Sequence, residues 1–226
     1  MRIRSPFAIA TVAVLLSGCA LFGSKAPPAA PVAAVQPPEP PQPRPALPAG
    51  FARSFTTPTR DIAGRYVTPN SGISAAERLW HVRSALNVAA LACRESDMAP
   101  AYNAMLQRLK TPFAKADAEV KAIYRARHGK GWQDAHDDAM TRLYNWFSQP
   151  FAQAGLCAAA AGPLTEAQTL NPADTDAFAT RALPALEAPV LAGFQRWDAY
   201  QVADADWRSR YETPVAMLKL APVASR

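Results

Sequence analysis

The chain has 226 residues, of which 50% are hydrophobic and 19% are charged, with a formal net charge of +6. This composition excludes a wholly disordered chain, a membrane protein with several spans and a small scaffold dense in disulfides. Residues 51–226 contain 20 Lys and Arg and 17 Asp and Glu. This positive excess is too small and too scattered to indicate nucleic-acid binding.

The first 18 residues have the pattern of an export signal. Arg2 and Arg4 precede an uncharged run from Phe7 to Leu16. Ten helical residues rise about 15 Å, roughly half of the hydrocarbon core of a bilayer. The segment is therefore expected to be a signal peptide over residues 1–18 and not a transmembrane helix.

The residues that follow the run are Leu16-Ser17-Gly18-Cys19, and they resemble the lipobox of bacterial lipoproteins at every position. The resemblance implies cleavage before Cys19, a diacylglyceryl thioether and an acyl chain on the new N-terminus, so residues 19–24 form a lipidated N-terminus. Ala20 replaces the aspartate associated with inner-membrane retention, which favours the outer membrane. The alternative is an ordinary secretory signal followed by a chance cysteine.

Residues 25–50 contain ten of the 22 prolines and almost no large apolar side chain. Such a segment cannot bury enough surface to offset its ordering entropy, so it is predicted to be a disordered Pro-rich linker with polyproline II character. It would hold the following domain away from the membrane. A ligand for a proline-recognising groove, or a path through the cell-wall mesh, is the alternative.

Residues 51–226 are predicted to form a single all-α domain of about five to seven helices. They contain 38 alanines and 14 leucines, but only 11 valines and isoleucines together. Alanine and leucine favour helices, whereas strands are rich in β-branched residues.

The first helix has a clear N-terminal signal. Ser74 and Glu77 have the spacing of a capping box, and apolar residues follow at helical spacing as far as Cys93. A helix is therefore predicted over about residues 75–95. Residues 51–72 lack periodicity and are expected to wrap the surface.

Prolines and glycines predict the limits of the next two helices. The second begins at Pro100, is expected to bend at Pro112 because proline lacks the amide donor, and ends at Gly129. The third is predicted over about residues 133–147.

The last third of the chain is predicted to be helical with interruptions. A fourth helix extends from Phe151 to Gly162-Pro163, and Asn171-Pro172 has the pattern of a cap followed by proline at the first helical position. Beyond it, breaks are expected at Pro184 and Pro189.

Two cysteines, Cys93 and Cys157, remain once Cys19 is lipidated. Export places them in an oxidising compartment, and an even remainder predicts one disulfide. Two buried free thiols are the alternative.

A family resemblance covers about residues 75–160. The segments 83–93, 101–103 and 141–147, together with Cys157, resemble exported proteins of sphingomonad-type bacteria. The resemblance implies export and the disulfide, and it implies no activity.

Four polar residues lie in or near apolar helical stripes and have two interpretations. A buried Asn87 amide needs a partner, so it would fix helix register with Asn103 or Asn145. Alternatively, Asn87, Asn103, Arg142 and Asn145 line a polar groove that holds a ligand.

The densest polar cluster contains Asp134, His136, Asp137 and Asp138, and with His81 it is similar to the His-Asp pattern of metal-dependent phosphohydrolases. Consecutive residues point in different directions around a helix, and acidic residues in a first turn complement the helix dipole. No metal site and no cofactor are therefore predicted.

A basic cluster ends the second helix, where the dipole again explains the charges, although a contact with anionic lipid or a cell-wall polymer is the alternative. Its members are Lys121, Arg125, Arg127, His128 and Lys130. Trp132 follows in a predicted loop and is a candidate surface contact.

These observations predict a lipoprotein of the outer membrane with a periplasm-facing helical domain. The membrane is contacted through the lipid on Cys19, and an envelope protein or a cell-wall polymer is the expected partner. The role is expected to be non-enzymatic. The alternative is an enzyme that acts on the cell envelope through the polar groove.

Overall fold

The computed structural model describes residues 42–94 and 98–212. Internal contacts separate the chain into residues 1–40 and residues 41–226, and the described residues belong to the second unit. The predicted signal peptide, Cys19 and most of the predicted Pro-rich linker lie outside the described residues.

The prediction of an all-α fold is confirmed. Within the described residues the only β feature is an isolated bridge between Arg60 and Tyr66. The α-helices there are α1 (Ala75–Ala92), α2 (Ala99–Arg108), α3 (Lys110–His128), α4 (Trp132–Phe147), α5 (Gln153–Ala167) and α6 (Thr175–Tyr211). None of these helices combines the length and the apolar character of a membrane-spanning segment.

Helix α1 is the centre of the core, and it packs against each of the other five helices. Val82, Ala85, Leu86 and Ala89 on it are completely buried. The predicted capping box is present: the amide of Ser74 donates to Glu77 Oε2 over 2.8 Å, and the amide of Glu77 donates to Ser74 Oγ over 3.2 Å. Two backbone donors without helical partners are thereby satisfied.

The predicted bend at Pro112 is instead a break at Leu109 that separates α2 from α3. Proline has no amide hydrogen, and its ring collides with the carbonyl four residues earlier, here that of Arg108. The chain therefore restarts a helix at Lys110, with Pro112 in the first turn, where amides have no helical partner. Gly129, at φ +56°, ends α3 as predicted.

The predicted breaks at Pro184 and Pro189 are wrong, because α6 continues through both prolines. Pro163, where the fourth helix was expected to end, likewise lies inside α5. The α6 prolines leave the carbonyls of Thr180 and Ala185 without a helical donor, but both residues are on the exposed side of the helix, where water can replace the bond.

The buried face of α6 explains why the helix continues. Leu183, Leu186, Val190 and Phe194 are buried, and α6 packs along α1 and α5. Fully burying one such side chain is worth about 1.5–3 kcal/mol, so the packed face outweighs the cost of two interior prolines. The predicted cap at Asn171 is confirmed, since its side chain accepts from the amide of Ala173.

Residues 42–73, hereafter the strap, wrap the surface without helix, as predicted for residues 51–72. Phe51 is buried and stacks on Phe151, with ring centroids 4.1 Å apart. Arg44 pairs with Asp204 of α6 over 2.7 Å. Residues 42–50, which composition assigns to the linker, are thus attached to the helical domain.

The predicted disulfide is confirmed between Cys93 and Cys157. Cys93 caps the C-terminus of α1, which therefore ends three residues before the predicted limit at residue 95. The bridge joins this end of the central helix to α5, with the two Cα atoms 5.6 Å apart.

Candidate functional site

A cleft of about 550 Å³ lies between the strap and helices α1, α3 and α4. We call it the His81 cleft. Its polar lining comprises Thr68 from the strap, His81 from α1, Tyr124 from α3, Arg142 and Asn145 from α4, and Gln149 just after α4. It is of the size usual for small-ligand sites.

Helical spacing explains why one wall of the cleft is polar. Arg142, Asn145 and Gln149 are three and four residues apart, so they follow one face of α4 and its C-terminal turn. Gln149 reaches back and donates its amide to the backbone carbonyl of Asn145 over 2.6 Å. The opposite wall comes from the strap, which contributes Pro58, Val67 and Pro69.

A chain of hydrogen bonds connects His81 to α6 through the strap. Nδ2 of Asn70 lies 2.7 Å from Oε1 of Glu187, and Oδ1 of Asn70 lies 2.7 Å from Nδ1 of His81. A carboxylate can only accept, so Asn70 must direct its NH₂ group to Glu187 and its oxygen to the histidine. Nδ1 of His81 therefore carries the proton, and Nε2 of the neutral ring carries a lone pair.

The lone pair on Nε2 of His81 is accessible. Nε2 has no hydrogen-bond partner among the described residues, and it is not one of the wholly buried unpartnered polar atoms found there. It is therefore in contact with solvent, although the residue as a whole is only 6% exposed.

Burial lowers the pKa of His81 from 6.5 to about 4, and the nearby carboxylate of Glu77 raises it by less. The charged form of a buried histidine loses its hydration, which favours the neutral ring. His81 is thus a neutral hydrogen-bond acceptor at neutral pH.

Trp146 also lines the cleft and carries an unused donor. Its Nε1–H is wholly buried and has no partner among the described residues. Its ring packs edge-on against Phe194, with centroids 5.3 Å apart. A buried donor without a partner is costly, but a ligand in the cleft does not reach this one while the surrounding side chains keep their positions.

The structure brings together only part of the predicted polar groove. Arg142 and Asn145 line the His81 cleft, whereas Asn87 and Asn103 are not part of its lining. Asn103 is exposed on α2, and Asn87 is half-buried on α1.

Asn87 lies next to the hydroxyl of Tyr102 and not next to another asparagine. Burial raises the pKa of Tyr102, while Arg83 and the Asn87 side chain oppose that rise. The hydroxyl nevertheless lacks a hydrogen-bond partner of good geometry within the described residues. Among the described residues, no hydrogen bond joins Asn87 to Asn103 or Asn145, its two predicted partners.

The acidic cluster at the start of α4 does not form a metal site in the described part of the chain, where no group of three or more His, Cys, Asp or Glu side chains is placed to hold an ion. His136 is paired through Nδ1 with Asp137 over 3.1 Å. His81 lies in the cleft and does not join this cluster to form a ligand set.

The basic end of α3 is largely occupied by contacts within the domain. Lys121 pairs with Asp117 over 2.7 Å, and the guanidinium of Arg127 is 3.8 Å from Glu77. Arg125 lies over the ring of Trp132, 4.2 Å from its centroid, so this tryptophan contacts its own chain.

Sequence reasoning did not identify the pair of His81 and Asn70 as a site. The two residues are 11 positions apart, and Asn70 and Glu187 are 117 apart. A histidine at an otherwise apolar helical position was the one available signal, because a buried imidazole needs a partner.

No family model, no curated protein and no solved structure matches the chain.

Proposed function

We propose that the protein is a lipoprotein of the outer membrane whose periplasm-facing helical domain binds a component of the cell envelope without converting it. The observation that carries the proposal is the sequence Leu16-Ser17-Gly18-Cys19 directly after a short uncharged run. The signal peptide and the palmitate on Cys19 are parts of the same proposal. Several acyl chains, at about 0.8 kcal/mol per buried CH₂, would make the attachment effectively permanent.

The disulfide supports the export step. Disulfides form and persist in oxidising compartments such as the periplasm and are rare in the reducing cytosol. Cys93 and Cys157 are joined in the folded domain, which leaves Cys19 as the cysteine available for the lipid.

The His81 cleft supports binding more than catalysis. A ring with a pKa of about 4 is a weak base at neutral pH, where general bases work best with a pKa near the ambient pH. The described lining of the cleft includes no carboxylate, lysine or cysteine that would supply a second catalytic group.

An enzyme that acts on the cell envelope is the second candidate, because Arg142 and Asn145 do share a cleft with a histidine. These side chains can orient a substrate. A chemical step would need His81 to take a proton at a pH well above its own pKa, which is why we place binding first.

Replacing Cys19 tests the anchor. In Cys19→Ser the acyl acceptor is lost, so we expect an unprocessed precursor that incorporates no labelled palmitate in growing cells. The matched control is the double variant Cys93→Ser/Cys157→Ser, which removes the other two cysteines and should label normally. Normal labelling of Cys19→Ser would contradict the proposal.

A further inference from the structure

We propose that the His81 cleft binds a sugar ring of a cell-wall glycan, with Nε2 of His81 accepting a hydrogen bond from a ligand hydroxyl. The identity of the glycan rests on the proposed envelope function. The requirement for a hydrogen-bond donor on the ligand rests on the geometry of the cleft alone.

The donor requirement follows from the chain Glu187–Asn70–His81. Because Glu187 accepts from Asn70 and Asn70 accepts from His81, the tautomer with the lone pair on Nε2 is the one that these bonds stabilise. A solvent-contacting lone pair on a residue that lines a cleft is best satisfied by an O–H or N–H group.

The α4 side of the cleft offers the complementary groups. The side chains of Arg142 and Asn145 have no hydrogen-bond or ion-pair partner in the described part of the chain and both line the cleft. Together these groups fit a ligand that carries acceptors, such as ring oxygens, acetamido carbonyls or a carboxylate.

The lining of the cleft does not suit two other classes of ligand, purely apolar molecules and cations. A purely apolar ligand would shield the lone pair of His81 from water and leave it unsatisfied, which is unfavourable. A cation would meet Arg142 with no carboxylate in the described lining. Apolar walls from Pro58, Val67 and Leu143 alternate with these polar groups, and a sugar likewise has apolar C–H faces and a rim of hydroxyls.

Histidine ¹⁵N NMR tests the proposal directly, because the chain contains only three histidines. The full chain, labelled at histidine and held in detergent micelles, is titrated with muropeptides released from purified peptidoglycan by a muramidase. We expect the Nε2 resonance of His81 to move and to saturate, while the Nδ1 resonance keeps its protonated value. The histidines at positions 128 and 136 should be little affected.

The free stem peptide, without sugar, is the comparison ligand. No displacement of the His81 resonance by muropeptides would overturn the proposal. An equal displacement by the stem peptide would overturn it too, because a peptide and not the sugar would then fill the cleft.

Two variants separate ligand recognition from folding. Glu187→Gln allows the Asn70 amide to turn, so Nε2 of His81 should become partly protonated in the free protein, and muropeptide affinity should fall by about 2- to 10-fold, the equivalent of one neutral hydrogen bond. Arg142→Gln should weaken binding similarly, whereas the matched control Arg181→Gln, which alters a surface ion pair with Glu166, should not. Unchanged affinity in both Glu187→Gln and Arg142→Gln would overturn the proposal.

Failure of this experiment is distinguishable from failure of the proposed function. Palmitate labelling depends on Cys19, and the titration depends on the cleft. If the protein is labelled with palmitate but does not bind muropeptides, the proposed anchor is supported and only the proposed glycan ligand is refuted.

Discussion

His81 shows how one buried side chain links local chemistry to the stability of the domain. The residue is 6% exposed, and burial lowers its pKa to about 4. The carboxylate of Glu77, one helical turn away, opposes this shift only partly, and Asn70 holds the ring through Nδ1. The lowered pKa of His81 is therefore caused by folding, and the ring has its ordinary pKa in the unfolded chain.

The first residue-scale prediction is a loss of stability in mild acid. Between pH 6.5 and pH 4 the unfolded chain binds a proton at His81 that the folded chain does not, so the free energy of unfolding falls as the pH falls. The difference is about 3 kcal/mol over this range. Urea unfolding at pH 7.5 and pH 4 measures it for wild type and for His81→Gln.

The loss should be smaller in His81→Gln, which cannot titrate there. His128→Gln is the control, since His128 is exposed and its removal should leave the pH dependence as in wild type. Equal losses in wild type and His81→Gln would contradict this account of the buried ring.

A second residue-scale prediction concerns Gly193. A Cβ at this position would overlap the ring of Phe151, which is itself stacked on Phe51 and cannot easily move. Gly193→Ala should therefore destabilise the domain by about 1–3 kcal/mol and lower its melting temperature. Gly162→Ala is the matched control, because Gly162 is also helical but a Cβ there meets nothing within 4 Å apart from its chain neighbours. It should lose clearly less stability than Gly193→Ala, since its new Cβ meets only the neighbouring Pro163; a similar loss in both variants would contradict the packing argument.

At the scale of elements, the strap is held to α6 by three acidic residues: Glu187, which accepts from Asn70, and Asp198 and Asp204, which have charged partners. Asp198 accepts from Arg60 and Tyr66, each over 2.5 Å. Asp204 is buried and accepts both from Arg44 of the strap and from Arg208 of its own helix. The hydrogen bond from Arg44 is the main reason that the pKa of Asp204 falls to about 2.

We predict that Asp204→Asn loosens residues 42–48 without unfolding the helices. The neutral amide cannot keep two charge-assisted bonds, so amide hydrogen exchange over this stretch should accelerate at neutral pH, as measured by mass spectrometry. Asp206→Asn is the matched control, because within the described residues Asp206 pairs only with Arg210 on the same helix. Unchanged exchange in Asp204→Asn would show that Arg44 does not hold the strap.

The same ion pair implies a response to strong acid. The pKa of Asp204 is lowered in the folded state, so its stabilising contribution is present above the ordinary value of 3.8 and is lost as the pH falls toward 2. After correction for the intrinsic exchange rate at each pH, residues 42–48 of wild type should therefore lose more of their protection over this acid range than those of Asp204→Asn.

At the scale of the whole molecule, the disulfide acts mainly on the unfolded chain. It closes a loop with a sequence separation of 64, and the chain-entropy model assigns about 4 kcal/mol to a loop of this length. Cys93→Ala/Cys157→Ala should therefore unfold at clearly lower denaturant concentration than wild type. Wild type in reductant should behave like the double variant, and equal stability of oxidised and reduced wild type would contradict the prediction.

Features coded by neighbouring residues could be predicted from the sequence. The capping box of Ser74 and Glu77, the stop at Gly129 and the cap at Asn171 depend on groups within a few residues of one another, so their chemistry is visible in the sequence. The helical fold class follows from alanine and leucine content for the same reason. The disulfide was predicted because two cysteines, Cys93 and Cys157, are left when Cys19 is assigned to the lipid.

Features that depend on distant partners were decided only by the tertiary structure. Pro184 and Pro189 predict breaks locally, yet the buried face of α6 against α1 and α5 compensates for the lost hydrogen bonds. The His81 cleft likewise requires Asn70 to meet Glu187 across 117 residues. Local propensities are worth tenths of a kcal/mol to a few kcal/mol per residue, and packing that joins remote segments contributes as much or more at each buried side chain, so the fold decides where the two conflict.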